Sequence, residues 1–405
     1  MGKIKRFDLE FSNSAGAFYA GQQVSGKVIL ELSEPTKIVS VKIRFFGEAY
    51  VSFTEKTTSN RKRSVTDREQ YFEQLDVLFG HAEPALTCTS TTLPAGEHVY
   101  PFVFNAPTHL PSSYEHKQGR VRYWCKAWLQ MPLLSRDHTV QRAFTIVALV
   151  DLSRIEQALM PVQLCKACPI GASCLLGCAR GAVSVLVNLE RAAFVPGEQV
   201  LVSAEITNSS AKRVKSVDAW FQQNVTLCTR SGARRFLRGD TKMALVQQGA
   251  VKSHSVQTWH REPMQLPPLP PTNLGGCRLI EIQYLFNFVV SIAGMEPLRL
   301  SQPVIIGTIP LYRPPASWSQ TAPESSVAPV PVATPPPTNT VPSPQQIYPS
   351  APPNMPEFVN APPPSYEECM YVSGVELINE STEDHADNPA NRCYRPLYPT
   401  YGLHH

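Results

Sequence analysis

An all-β protein is predicted: two tandem immunoglobulin-like β-sandwiches, residues 1–155 and 156–312, followed by a disordered proline-rich tail over 313–405. Three observations carry this. Apolar and polar residues alternate with period two along many short segments of the body. A stretch of about thirty residues in the first half matches the second half without gaps, 176 positions later. About twenty of the 38 prolines lie after Arg313, a composition that cannot build a packed core. The remaining 310 or so residues suit two domains of about 150 each.

The first strands start almost at once. Met1-Gly-Lys-Ile-Lys-Arg-Phe-Asp enters a strand-like pattern with no apolar signal-peptide stretch, and Arg6 stands where a myristoylated Gly2 would want Ser or Thr. Val24, Gly26, Val28, Leu30 and Leu32 then alternate with Ser25, Lys27 and Glu31, and Val39, Val41, Ile43 and Phe45 with Ser40, Lys42 and Arg44. Arg61-Lys-Arg63 sits in a Thr/Ser/Lys-rich stretch that reads as a long loop. In the second half, Ile280, Ile282, Tyr284, Phe286, Phe288 and Val290 alternate with Glu281, Gln283 and Asn287. Phe18-Tyr-Ala-Gly-Gln-Gln-Val24 parallels Phe194-Val-Pro-Gly-Glu-Gln-Val200, which places Gly21 and Gly197 at the φ > 0 site of a turn before a strand.

Composition excludes several classes of function. A net charge of +4 gives no field that argues for nucleic acid. No apolar run is long enough to span a bilayer as a helix; Leu285 to Ile292 is interrupted by Asn287. A cytosolic protein with mostly reduced cysteines is expected, whose sequons at Asn208 and Asn224 stay unmodified. There is no glycine-rich phosphate loop, no H-E-x-x-H and no nucleophile elbow, so the chain is read as neither an enzyme nor a cofactor protein.

Cys165, Cys168, Cys174 and Cys178 cluster between the halves. Four thiolates at such spacing would suit a structural zinc, and S-acylation is a second use. The reading taken is free thiols in a connector with no metal, because each half is long enough to bury a core without one. Short basic runs such as Lys212-Arg213 and Lys215 read as solvated loops.

The body resembles the two-domain arrestin fold, and in detail the alpha-arrestins. The residues that carry the resemblance are Leu93-Pro-Ala-Gly-Glu-His98, Pro111-Ser-Ser-Tyr-Glu115, Gly119-Arg-Val-Arg-Tyr123, the Pro-Gly-Glu turn at Pro196, and Pro303-Val-Ile-Ile-Gly-Thr-Ile-Pro310. The likeness covers about residues 5–312. His116 departs from it, since the pattern has glycine there.

The tail adds short peptides with a physical use. Pro363-Pro364-Ser365-Tyr366 favours polyproline II, whose prolines stack in the aromatic groove of a WW domain while the tyrosine fills a second pocket. The resemblance implies that Pro363, Pro364 and Tyr366 recruit HECT-type ubiquitin ligases. Pro396 and Tyr398, in Arg395-Pro-Leu-Tyr398, form a degenerate second WW-binding motif. Pro349, Ser350, Ala351 and Pro352 resemble the peptide bound by the UEV domain of ESCRT-I. The expected protein is a cytoplasmic adaptor that links membrane-protein cargo, such as receptors or transporters, to a WW-domain ligase. It would associate with the plasma membrane and endosomes peripherally, through cargo. The alternative is an arrestin-fold sorting or redox-linked scaffold that recruits no ligase.

Overall fold

The computed structural model describes residues 3–56, 61–80, 90–133, 135–171, 179–230, 236–311, 365–368 and 394–401. The first sandwich contains β1 (Ile4–Phe11), β2 (Ala17–Tyr19), β3 (Gln23–Leu32), β4 (Thr36–Ile38), β5 (Ser40–Lys56), β6 (Lys62–Gly80), β7 (Thr91–Leu93), β8 (Gly96–Asn105), β9 (Tyr114–His116), β10 (Gly119–Gln130) and β11 (His138–Val147). One sheet runs β1-β3-β8; the facing one runs β2-β11-β10-β5-β6, with β9 paired to β10 and a small β4-β7 ladder beside it.

The second sandwich contains β12 (Val162–Gly171), β13 (Ala179–Leu189), β14 (Ala193–Phe194), β15 (Gln199–Asn208), β16 (Val214–Cys228), β17 (Phe236–Gln248), β18 (Ser255–Gln265), β19 (Ile280–Ile292) and β20 (Leu298–Ile306). Its sheets, β12-β13-β15-β18 and β14-β20-β19-β16-β17, repeat the order β1-β3-β8 and β2-β11-β10-β5-β6, with β12 added at one edge and no described counterpart of β4, β7 or β9. The alternating residues face inward as expected: Val24, Val28, Leu30, Val41, Ile43, Phe45, Ile282, Phe286 and Phe288 are all buried.

The duplication extends to hydrogen bonds. Gly21 and Gly197 have φ of 82° and 80°. Gln22 Oε1 accepts from Tyr19 N–H at 2.9 Å, and its counterpart Glu198 Oε2 accepts from Val195 N–H at 3.1 Å. Tyr123 and Tyr284, each fully buried, donate their hydroxyls to the Pro111 and Pro270 carbonyls, both at 2.7 Å. A buried phenol needs such a partner, and a carbonyl of the proline-bearing approach segment supplies it in both halves.

Two expectations need correction. The cysteine connector is shorter than read, because Val162–Gly171 pairs antiparallel with β13 and so belongs to the second sandwich. Cys165 and Cys168 stand on that strand at odd and even positions; Cys165 is exposed, whereas Cys168 packs against the core. Strand alternation puts them on opposite faces. Cys174 and Cys178 lie outside the described residues. The long loop around Arg61 is also reduced: Lys62 and Arg63 pair with Lys56 and Glu55, extending the β5–β6 hairpin.

The sandwiches meet through apolar and polar contacts. A Cβ at Gly119 would stand 2.8 Å from Leu227 Cδ2, so the missing side chain admits the second domain. Glu69, only 7 % exposed, accepts from the Arg278 backbone N–H at 2.9 Å and from its guanidinium, and Asp67 accepts from the Arg230 N–H at 2.6 Å. Thr308 closes the other side, accepting from Val150 N–H at 2.7 Å and donating to Ala148 O at 2.8 Å.

Candidate functional site

The site forms where the two sandwiches adjoin, around the segment 111–114. Ser112 and Ser113 pin that segment to the end of β11: their hydroxyls accept from Ala148 N–H at 2.8 Å and Ile146 N–H at 3.0 Å. The pinned backbone leaves the Ser113 carbonyl pointing outward as an acceptor. Beside it, Arg122 donates two parallel bonds to Glu115, at 2.7 and 2.8 Å. Burial alone would lower the Arg122 pKa, but the Glu115 carboxylate outweighs it and the net shift is upward. His116, at the end of β9, stacks its ring on Tyr114, and burial lowers its pKa.

A segment of the tail occupies this groove. Residues Leu397–Thr400 form a strand, β22, and the tyrosines at 394, 398 and 401 anchor it. Tyr394 donates its hydroxyl to the Phe144 carbonyl at 3.1 Å and shares a 2.9 Å hydrogen bond with Thr145 Oγ1, which also accepts from Leu397 N–H at 3.2 Å. The Arg122 guanidinium lies over the Tyr394 ring, 5.6 Å from its centroid. Burial pushes the Tyr394 pKa up to about 12, against the pull of its hydroxyl partners and Arg122. Tyr398 is 1 % exposed and donates to the Ser113 carbonyl at 2.7 Å. Tyr401 crosses to the second sandwich: its hydroxyl donates to Thr308 O at 2.7 Å and its N–H to Pro196 O at 2.9 Å.

The far edge of β22 pairs antiparallel with β21 (Ser365–Glu368): Ser365 opposite Thr400, Tyr366 opposite Pro399, Glu367 opposite Tyr398 and Glu368 opposite Leu397. The two edges share the strand by alternation. The N–H groups of Leu397 and Tyr401 point to the body, so those of Tyr398 and Thr400 face β21. Pro399 falls on the body side, where it needs no N–H.

The residues singled out from the sequence are thus placed unevenly. Tyr366 lies in the β21 ladder. Pro396 and Tyr398 are buried on the body. Pro363, Pro364 and the motif at 349–352 lie outside the described residues. Sequence reasoning missed Tyr394 and Tyr401 as anchors and the whole body side of the groove. The available signal was three tyrosines within eight residues of a tail otherwise sparse in aromatic rings. Among the described residues no cluster of three or more His, Cys, Asp or Glu side chains suits a metal ion.

Residues 7–153 match the N-terminal domain family of arrestin (or S-antigen), and residues 179–311 match its C-terminal domain family. The chain belongs to the alpha-arrestin family. Arrestin domain-containing protein 17 of Caenorhabditis elegans is 28% identical to this alpha-arrestin over 316 residues, which span 76% of this chain and 72% of the relative. Arrestin domain-containing protein 4 of Homo sapiens is 29% identical over 316 residues, with the same two shares. Human thioredoxin-interacting protein is 26% identical over 308 residues, 76% of this chain and 75% of its own. Membership assigns this alpha-arrestin to a family of adaptors. Both domain matches end before the tail, so the peptide motifs are this chain's own to explain.

Proposed function

We propose that this alpha-arrestin is a trafficking adaptor without catalytic activity. Its sandwiches engage membrane-protein cargo, and Pro363, Pro364 and Tyr366 recruit a HECT-type ubiquitin ligase through a WW domain. The cargo is then ubiquitinated, internalised and sorted at endosomes. Pro349 to Pro352 adds a contact to the UEV domain of ESCRT-I. The protein works in the cytoplasm and reaches the plasma membrane and endosomes through its cargo. No helix among the described residues is long and apolar enough to cross a membrane, and the reading requires none.

One observation supports this reading most: a complete Pro-Pro-x-Tyr string stands outside the two matched domains, on a stretch whose composition favours polyproline II. A redox-linked scaffold has less support. Burial raises the Cys277 pKa, and Cys228 is buried with its thiol donating to the Arg278 carbonyl at 3.0 Å. Reactive cysteines need the opposite, an exposed thiol held as thiolate.

Capture of an isolated WW domain by the full-length protein tests the proposal. Tyr366→Ala should weaken capture about thirtyfold, the ~2 kcal/mol expected of a hot-spot aromatic. Wild-type capture by both Tyr366→Ala and the double variant Tyr366→Ala/Tyr398→Ala would overturn it.

A further inference from the structure

The Tyr366 motif and the strand it pairs with cannot be used independently. A WW ligand is a polyproline II helix, whose backbone is free of internal bonds and lies open to the groove that reads it. Tyr366 instead belongs to a ladder whose other strand is fixed to both sandwiches by three tyrosine hydroxyls and two backbone N–H groups. Adjacent strands lie about 5 Å apart, too close for another domain to enter between them.

We propose that the segment 394–401 is an intramolecular clasp that withholds the Tyr366 motif from WW domains while it is seated between the sandwiches. The inference rests on the WW reading of Tyr366 and adds its regulation. Opening the clasp draws Tyr398 out of full burial and breaks its bond to the Ser113 carbonyl. Seating and WW capture therefore compete. By linkage, whatever displaces the strand from the groove lined by Ser113, Thr145 and Thr308 raises WW affinity by the factor by which WW capture weakens seating. The clasp also reverses the meaning of Tyr398. As a second WW ligand it would add to capture; as an anchor it suppresses capture.

That difference in sign makes the test. An isolated WW domain is titrated into the full-length wild type, Tyr398→Ala and Thr145→Val, with a free peptide of residues 361–368 as the unclasped reference. If four molecules in five are closed, the wild type binds about fivefold more weakly than the peptide, because apparent affinity scales with the open fraction. Tyr398→Ala should recover about that fivefold. Thr145→Val, which removes the hydroxyl shared by Tyr394 and Leu397 and leaves every tail residue in place, should recover part of it. Tyr398→Ala binding no tighter than wild type overturns the clasp, and because this change lies outside both sandwiches, that outcome counts even if Thr145→Val fails to fold. A peptide that does not bind the WW domain at all would instead defeat the underlying reading of Tyr366.

Discussion

Arg122 sits between a carboxylate and a ring. Glu115, with its side chain only 4 % exposed, takes both of its parallel hydrogen bonds, and the Tyr394 ring covers its other side. Bidentate geometry makes this pair stronger than a surface ion pair. Glu115→Ala should cost about 3 kcal/mol, the low end for a buried pair broken on one side, since Arg122 retains some solvent and the field of Glu48. The companion change Arg122→Met should restore much of that loss in the double variant, because no unpaired charge remains. Urea denaturation of the full-length protein, run as a double-mutant cycle, measures both. Additive losses would show that the two side chains act separately.

At the scale of the element, the duplicated turn is the clearest case. Gly21 and Gly197 hold positive φ, where an L side chain costs roughly 1–2 kcal/mol. Gly21→Ala should lose about that much, and its methyl would also meet Thr108 Cγ2 at 3.0 Å. Gly197→Ala should do likewise in the second domain, and the two losses should add, since the turns lie in different sandwiches. Thermal melts of the single and double variants check this. The turn and its flanking strands were legible because local chemistry fixes them: alternation sets the buried face and glycine sets the turn. Strand β12 was not, since Cys165-Lys-Ala-Cys-Pro169 has no apolar alternation and becomes a strand only by covering the β13 edge. The tail strand was hidden for a stronger reason. Pro396 and Pro399 argue locally against a strand, and the acceptors that make one there, the Ser113 carbonyl and Thr145, lie more than 200 residues away in the chain. Pairing of that range leaves no mark on a local pattern.

Across the whole molecule, the two sandwiches share one continuous apolar core and are tied at Glu69, Asp67 and Thr308. Wild-type protein should therefore unfold its two domains in a single calorimetric transition. Glu69→Ala strips the Arg278 backbone and guanidinium of their acceptor and should weaken the junction by about 2–3 kcal/mol, separating the transition into two. A single transition retained in Glu69→Ala would mean that the apolar contact around Gly119 and Leu227 is sufficient coupling. Among the described strands, each sandwich has one parallel pairing, and it has a consequence in time. Ala17 pairs with Thr145, and Ala193 with Ile305, so a short early strand of each domain meets its partner only near that domain's end. At ribosomal rates of about 5–20 residues per second, β2 waits on the order of ten seconds for β11 to be made. Through that interval β2 stays without its partner while β3, β5, β6, β8 and β10 are made. Each domain therefore gains its last edge pairing only when its final strand emerges, and until then the short strand stays exposed on the nascent chain and open to wrong partners.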